Sequence, residues 1–166
     1  MILLLTLRSM ASDYEYDKTD LAILTHLQQN AAMPYTEIAK LVHVSAGTVH
    51  VRMKKMEELG IVKGSELKID YSKIGYDVTA FLGVYLQKSS FYDQALKDLK
   101  NIPEVINVHY TTGTYSMFVK IMCKDTNHLR EVLHDKLQKV NGIERTETII
   151  SLEESIDRNI SLKGLK

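Results

Sequence analysis

"VSAGTVHVRMKKMEELGIVKG", Val44 to Gly64, is the stretch on which the fold turns. A serine is followed by small residues, then by a helix-compatible run holding Arg52, Lys54 and Lys55, then by Gly60. Ser45 suits an N-cap, because its hydroxyl can accept a hydrogen bond from a free N–H of the first turn. Val49, Met53 and Met56 recur at the i, i+4, i+7 spacing of a buried stripe. Gly60 suits the left-handed residue that closes a helix. With the stripe inward, Ala46, Gly47, Thr48, His50, Val51, Arg52, Lys54 and Lys55 are expected to face outward.

The segments before this helix explain what it is for. "DKTDLAILTHLQQNA", Asp17 to Ala31, puts Leu21, Leu24 and Gln28 on one face with Ile23, Leu27 and Ala31 beside it, which predicts an amphipathic helix. Asp17 can cap it, and Asp20 in its first turn complements the dipole. Pro34 then introduces "YTEIAKLV", a second, shorter helix. The close turn to the third helix needs a small residue, supplied by Ala39. It also needs a residue that tolerates positive φ. His43 stands there in place of the usual glycine, and His is among the types enriched in that region. Three helices followed by an extended stretch, Ile61 to Tyr71, predict a winged helix-turn-helix.

Such a helix can enter the major groove of DNA. Small residues at its amino end let it approach base edges, and its free N–H groups can meet phosphate. Arg and Lys further along can reach phosphates or guanine. The candidate contact set is Ser45, Ala46, Gly47, Thr48, His50, Val51, Arg52, Lys54 and Lys55. The charges alone would equally describe the solvated face of a surface helix. The Ala39–Val44–Ser45–Val49 spacing, together with the preceding helices, favours DNA.

From Asp77 the pattern changes. "DVTAFLGVYLQ" predicts a strand, "FYDQALKDLKNI" a helix, "EVINVHYTT" and "GTYSMFVKIMC" two strands, "KDTNHLREVLHDKLQKV" a helix and "IERTETIISLEE" a last strand. The order β-α-β-β-α-β is ferredoxin-like, with Gly113 at the direct strand-to-strand turn, so the chain is α+β overall. Phe81, Phe118 and Met122 alternate onto the sheet face that the two helices leave open.

The 166 residues suit one compact domain or two small ones, and Lys+Arg and Asp+Glu balance at 21 each. No global field draws in nucleic acid or a membrane, so DNA contact must come from a local patch repeated in several copies. The single cysteine, Cys123, fits a reducing cytoplasm and a buried thiol. The run Ile2 to Leu7 is far shorter than the ~20 residues of a membrane span. Met10 is a candidate start, and residues 1–15 are read as a mis-called start or disordered tail. The histidines, His26, His43, His50, His109, His128 and His134, lack metal-ligand spacing, and Glu131, His134 and Asp135 read as surface charge pairing. There is no P-loop, no GxGxxG and no acid–base constellation, so no metal, cofactor or catalytic group is expected.

"HYTTGTYS", His109 to Ser116, surrounds Gly113 with hydroxyls, and "TET", Thr146 to Thr148, is a second polar run. On the residues alone, a hairpin whose Thr and Tyr serve β propensity is the better reading. A resemblance changes its weight. The chain is similar to the Lrp/AsnC (feast/famine) family of transcription regulators through "DKTDLAILTHLQQNA", "YTEIAKLVHVSAGTVHVRMKKMEELGIVKG", "IGYDVTAFLGVYL", "YTTGTYSMFVKIMC" and "RTETIISL". Within the family the likeness is to asparagine-responsive members. His43, the Ala32–Met33 pair and Pro34 depart from the family pattern.

The resemblance implies a DNA-binding domain at residues 16–64, a linker strand at 65–76, a ligand-binding and oligomerisation domain at 77–155 and a tail at 156–166. It implies dimers through the sheet that assemble to an octamer, double-stranded DNA as partner, and a free amino acid, asparagine, as effector. It places the effector among Tyr110, Thr112, Gly113, Thr114 and Tyr115, with Thr146, Glu147 and Thr148 nearby across an interface. Two other readings are a nucleoid-type architectural protein and a stand-alone amino-acid-sensing subunit of a metabolic enzyme.

Overall fold

The computed structural model describes residues 14–165. The chain divides into two compact units, one made of residues up to Leu67 together with the segment from Asp157 onward, the other of Lys68–Ile156. The apolar run at Ile2–Leu7 and the Met10 start lie outside the described residues.

The first unit holds three helices: α1 (Lys18–Gln29), α2 (Tyr35–Leu41) and α3 (Ala46–Glu58). Asp17 caps α1 through a reciprocal box with Asp20, so two backbone donors of the first turn are satisfied at once. Ser45 caps α3 by accepting from the Thr48 N–H. Ile23, Ile38, Ala39, Val49, Met53 and Met56 form the core, as the helical spacing predicts. Between α2 and α3 the Val44 N–H donates to the Ala39 carbonyl at 3.0 Å. His43 has φ 56°, the only positive value of a non-glycine residue among those described.

Three expectations are corrected. Tyr14 packs against this core, so a boundary drawn before Tyr16 falls too late. Ala46 also packs against the core instead of facing outward. The stretch 62–70 forms no strand, and Leu67 and Ile69 stand exposed, because among the described residues no neighbouring strand meets its backbone groups. A short 3₁₀ turn at Tyr71–Ile74 follows.

The second unit runs β1 (Val78–Leu86), α4 (Tyr92–Leu99), β2 (Val105–Tyr110), β3 (Met117–Cys123), α5 (Thr126–Glu131) and β4 (Ile143–Ile150). The sheet order is β2-β3-β1-β4, antiparallel throughout, which is the ferredoxin-like arrangement. The segment after α5 departs from a uniform helix. It passes through a wider π-type turn at Val132–Lys136 and a 3₁₀ turn at Leu137–Lys139. The widened turn brings Lys136 onto Glu104, with Nζ 2.6 and 2.7 Å from the two carboxylate oxygens.

Register decides which residues share a face, because directly opposed residues point the same way. Ala80, Leu82, Val84, Met117, Val119, Ile121 and Cys123 face the helices and bury with Ala95, Leu99, Leu129, Val132 and Leu137. Cys123 is wholly buried, and that burial pushes its thiol up to about 11. The opposite face carries Phe81, Tyr85, Phe118 and Met122, and the Phe81 and Phe118 rings stack at 5.6 Å.

The strained turn yields a stability prediction. A left-handed conformation costs an L-residue ~1–2 kcal/mol, and glycine returns ~0.5–1 kcal/mol in chain entropy. His43→Gly is therefore expected to raise the unfolding free energy of the first unit by up to about 1 kcal/mol. His43→Val is expected to lower it, and calorimetry of the two variants gives the sign of each.

Candidate nucleic-acid interface and effector site

Gly47, His50, Val51, Lys54 and Lys55 stand exposed on α3, with Val51 at 65%. Ser45 and Thr48 are tied together, their hydroxyls 2.8 Å apart at the amino end. His50 sits beside Tyr35 of α2, ring centroids 6.1 Å apart. Lys54 has Glu58 at 3.9 Å one turn on, a loose exposed pair.

Arg52 differs from the expectation. It does not stand free on the outward face, since its Nη1 donates at 2.8 Å to Asp17 and at 2.8 Å to Asp20. Asp20 is 1% exposed, and its Oδ2 also accepts from the Tyr14 hydroxyl at 2.6 Å and the Asp17 N–H at 3.1 Å. Burial, then the Asp20 carboxylate, pushes the Tyr14 hydroxyl up to about 12. The Asp20 N–H, then the Arg52 guanidinium, holds the Asp17 carboxyl below its usual value. Lys55 lies over the Tyr14 ring, 4.4 Å from its centroid. The residues Tyr14, Glu15, Asp17, Thr48, Arg52 and Lys55 border a groove of about 580 Å³ along this flank of α3.

In the second unit, the turn from Thr111 to Ser116 is fastened at both ends. The Thr111 hydroxyl donates to the Tyr115 carbonyl at 2.8 Å, and the Ser116 N–H donates to the Val84 carbonyl at 2.8 Å. Between them, Thr112, Gly113 and Thr114 are exposed, and their N–H groups meet no acceptor among the described residues. Gly113 has φ 111°, a conformation closed to other residues without strain.

The predicted effector residues do not all converge. Tyr110 pairs with Met117, which points to the helices, and its ring meets Tyr92 at 4.4 Å. Tyr115 turns to the open face, where its hydroxyl donates to Glu147 at 2.8 Å. Thr146 and Thr148 pair with Val84 and Leu82 and so point to the helix side, away from Glu147. Glu147 also accepts from the Tyr85 hydroxyl at 3.0 Å and from Arg145 at 2.7 Å. Hydrogen bonds from Tyr115, Tyr85 and Arg145 hold its carboxyl below the ordinary 4.5. The network's contribution is therefore complete at neutral pH and is lost in acid, as pH falls through that lowered value.

A family model described as winged helix-turn-helix DNA-binding matches residues 16–63, and one described as the Lrp/AsnC ligand binding domain matches residues 79–160. The chain is 42% identical over 147 residues to Regulatory protein AsnC of Haemophilus influenzae, covering 89% of this chain and 98% of that one. The chain belongs to the Lrp/AsnC family. It is 41% identical over 148 residues to Regulatory protein AsnC of Escherichia coli K12, covering 89% of this chain and 97% of that one. The solved structure of E. coli AsnC superposes with a TM-score of 0.85 at 40% identity, covering 89% of this chain and 99% of that one. A Neisseria meningitidis transcriptional regulator in complex with L-Met shares the fold, with a TM-score of 0.82 at 23% identity over 87% of this chain and 94% of that one. This Lrp/AsnC chain is a DNA-binding transcription regulator modulated by an amino acid, and is not an enzyme.

Sequence reading missed Tyr14, Gly83 and Tyr85 at these sites. A β-carbon on Gly83 would lie 2.4 Å from the Tyr115 ring, so this glycine is the seat on which Tyr115 rests. Its only sequence signal is a glycine inside a strand pattern, which marks close approach of another group. Tyr85 meets the Tyr115 ring edge-on at 5.3 Å, and the Arg145 guanidinium lies 3.6 Å over the Tyr85 ring. Gly83→Ala is expected to push Tyr115 off the sheet, break its bond to Glu147 and cost about 1–3 kcal/mol, the usual range for overpacking. Near-ultraviolet circular dichroism should lose tyrosine signal, and a urea midpoint should fall. An unchanged spectrum would show that Tyr115 does not rest there.

Proposed function

We propose that the protein is a cytoplasmic, sequence-specific regulator of amino-acid metabolism genes whose effector is asparagine. It binds an inexact palindrome as a dimer, and its dimers assemble to an octamer. Ser45, Gly47, Thr48, His50, Val51, Lys54 and Lys55 form the contact surface on DNA, with Gly47 and Val51 nearest the bases. Two α3 helices in a dimer would reach successive turns of the major groove. The open sheet face, with Phe81, Phe118 and Met122, supplies the dimer contact, since an apolar face of that kind is costly to leave in water.

The observation that carries the effector reading is the turn at Gly113. Its flanks are locked, yet the N–H groups of Thr112, Gly113 and Thr114 are free to donate. Exposed N–H donors of this kind suit a carboxylate, which accepts only. Every free amino acid offers that group, so the turn supplies affinity without identity. Asparagine must be told from aspartate by partners for its carboxamide, because a buried unpaired carboxylate is costly. The "YTTGTYS" likeness to asparagine-responsive members supports that choice, with Tyr110, Tyr115, Thr146, Glu147 and Thr148 as the surrounding candidates.

Calorimetry against free amino acids tests the effector. Asparagine is expected to bind and aspartate to bind far more weakly. Leucine binding in its place would keep the turn as the site and discard asparagine. Gly113→Val, strained by its backbone angle, is expected to lose the ligand response while keeping basal DNA binding. A Gly113→Val protein that still responds would move the pocket elsewhere.

Footprinting next to the protein's own gene, against random duplex, tests sequence specificity. Equal affinity for both would favour an architectural protein. Lys54→Ala is expected to lower the slope of log K against log salt by about 0.9, the value for one phosphate contact. Light scattering that reports a monomer at micromolar concentration would refute the sheet-mediated dimer.

A further inference from the structure

Arg52 is the cation on α3 with the most constrained surroundings. A single nitrogen, Nη1, holds both carboxylates, at 2.8 Å each. One of them, Asp20, is almost wholly buried, 1% exposed at the floor of the groove. Its other oxygen accepts from the Tyr14 hydroxyl and the Asp17 N–H, both neutral donors, so among the described residues Arg52 is the partner that answers its charge. The side chain of Arg52 is itself 29% exposed, against 69% for Lys54.

Consider what reading DNA would require of it. Both N–H donors of Nη1 go to Asp17 and Asp20, so Nε and Nη2 could donate only from where the side chain now lies, and to swing outward onto a phosphate or a guanine edge Nη1 must leave Asp20. The acid cannot follow, and a buried charge without its partner is strongly unfavourable. Lys54 and Lys55 carry no such obligation. Arg52 is also off the outward axis of the helix. At about 100° per residue, Gly47, Val51 and Lys54 lie within about 60° of one another, while Arg52 lies a further 100° round from Val51, toward α1. A contact at that position, made to a group fixed inside α1, sets the rotation of α3 about its own axis. Rotation decides which residues face the groove.

We propose that Arg52 and Asp20 are a positioning pair that fixes the rotational setting of α3, and that Arg52 is not a reader of DNA. The pair acts through Gly47, His50, Val51 and Lys54, which take the contacts. This rests on the DNA-binding reading of α3 above.

The test uses the full chain and four variants: Arg52→Met, Asp20→Asn, the double variant, and Arg52→Lys. Affinities for the operator and for a random duplex are measured over a salt series, at a temperature where circular dichroism shows each protein folded. Arg52→Met and Asp20→Asn are each expected to lower operator affinity roughly tenfold, the scale of one misplaced base contact. Random-duplex affinity and the salt slope are expected to stay at the parent value.

Asp20→Asn is the decisive variant, since a residue 1% exposed cannot touch DNA. The double variant is expected to be no worse than either single one. Arg52→Lys is expected to recover most of the operator preference, because one ammonium can take the place of the one nitrogen used. A role confined to stability would lower melting temperatures and leave the operator-to-random ratio alone, and that result overturns the proposal. So does an Arg52→Met protein whose salt slope falls by about 0.9 while Asp20→Asn binds like the parent, for Arg52 is then a phosphate contact. A parent chain that binds no duplex overturns the DNA reading itself. A parent that discriminates, with variants that discriminate equally, overturns the positioning pair alone.

Discussion

A sheet covered by helices on one face has a second face to satisfy. In this chain that face carries Phe81 stacked on Phe118, with Tyr115 tilted against Phe118 at 6.2 Å. The constraint reaches further than packing. Tyr115 belongs to the turn that holds Gly113, yet its ring rests on Gly83 at the middle of β1 and its hydroxyl is tied to Glu147 on β4. The loop with free N–H donors is thus continuous with the face that a second subunit would cover. A ligand that pulls on the turn pulls on Tyr115, and Tyr115 is part of the surface. Coupling between a ligand and an assembly needs a physical element that both can bias. This ring is placed to be one.

The first unit solves a different problem. Its core is small, built from α1, α2 and α3, and a helix held by few apolar contacts can rotate or slide. Asp20 and Arg52 add a directional contact where apolar packing is not directional. Two buried or half-buried charges are a poor way to gain stability, because desolvation offsets most of their attraction. They are a good way to exclude alternatives, since a shifted α3 would strand the carboxylate. A DNA-reading helix needs its setting defined more than it needs another fraction of stability.

Much of this was legible in the sequence, and what was not has a common cause. The helical spacing of Val49, Met53 and Met56, the caps at Asp17 and Ser45, the positive φ of His43 and the alternation of β1 to β4 are local. Each follows from residues a few positions apart. The bond from Arg52 to Asp20 spans 32 positions and that from Tyr115 to Glu147 likewise 32, and nothing local announces either. Asp20 read alone is a first-turn acid that suits a helix dipole. Arg52 read alone is one more outward cation. Likewise Thr146, Glu147 and Thr148 read as one polar run, although strand alternation sends the middle one to the opposite face. The stretch 62–70 fails as a strand for the same reason, since alternation predicts a strand only where a partner exists to pair with it.

The charge balance can now be read more closely. Of the three cations that drew attention to α3, Arg52 is committed to acids, Lys55 lies over the Tyr14 ring, and Lys54 has Glu58 near it. Asp17 and Glu15 line the same flank and would repel phosphate. A single copy of this helix therefore offers DNA a weak electrostatic term, in a protein whose net charge is zero. Weak individual sites become effective when they are linked, since linkage can raise avidity by ~10²–10⁴ without a new contact. In the assembly proposed above, the open sheet face of the other unit would supply that linkage. In the proposed assembly, low charge on the reading helix and an apolar face on the sheet would be two halves of one design, in which DNA occupancy tracks assembly. A ligand at the proposed Gly113 site would then need no path to α3. It only has to favour one assembly over another, by its differential affinity for the two.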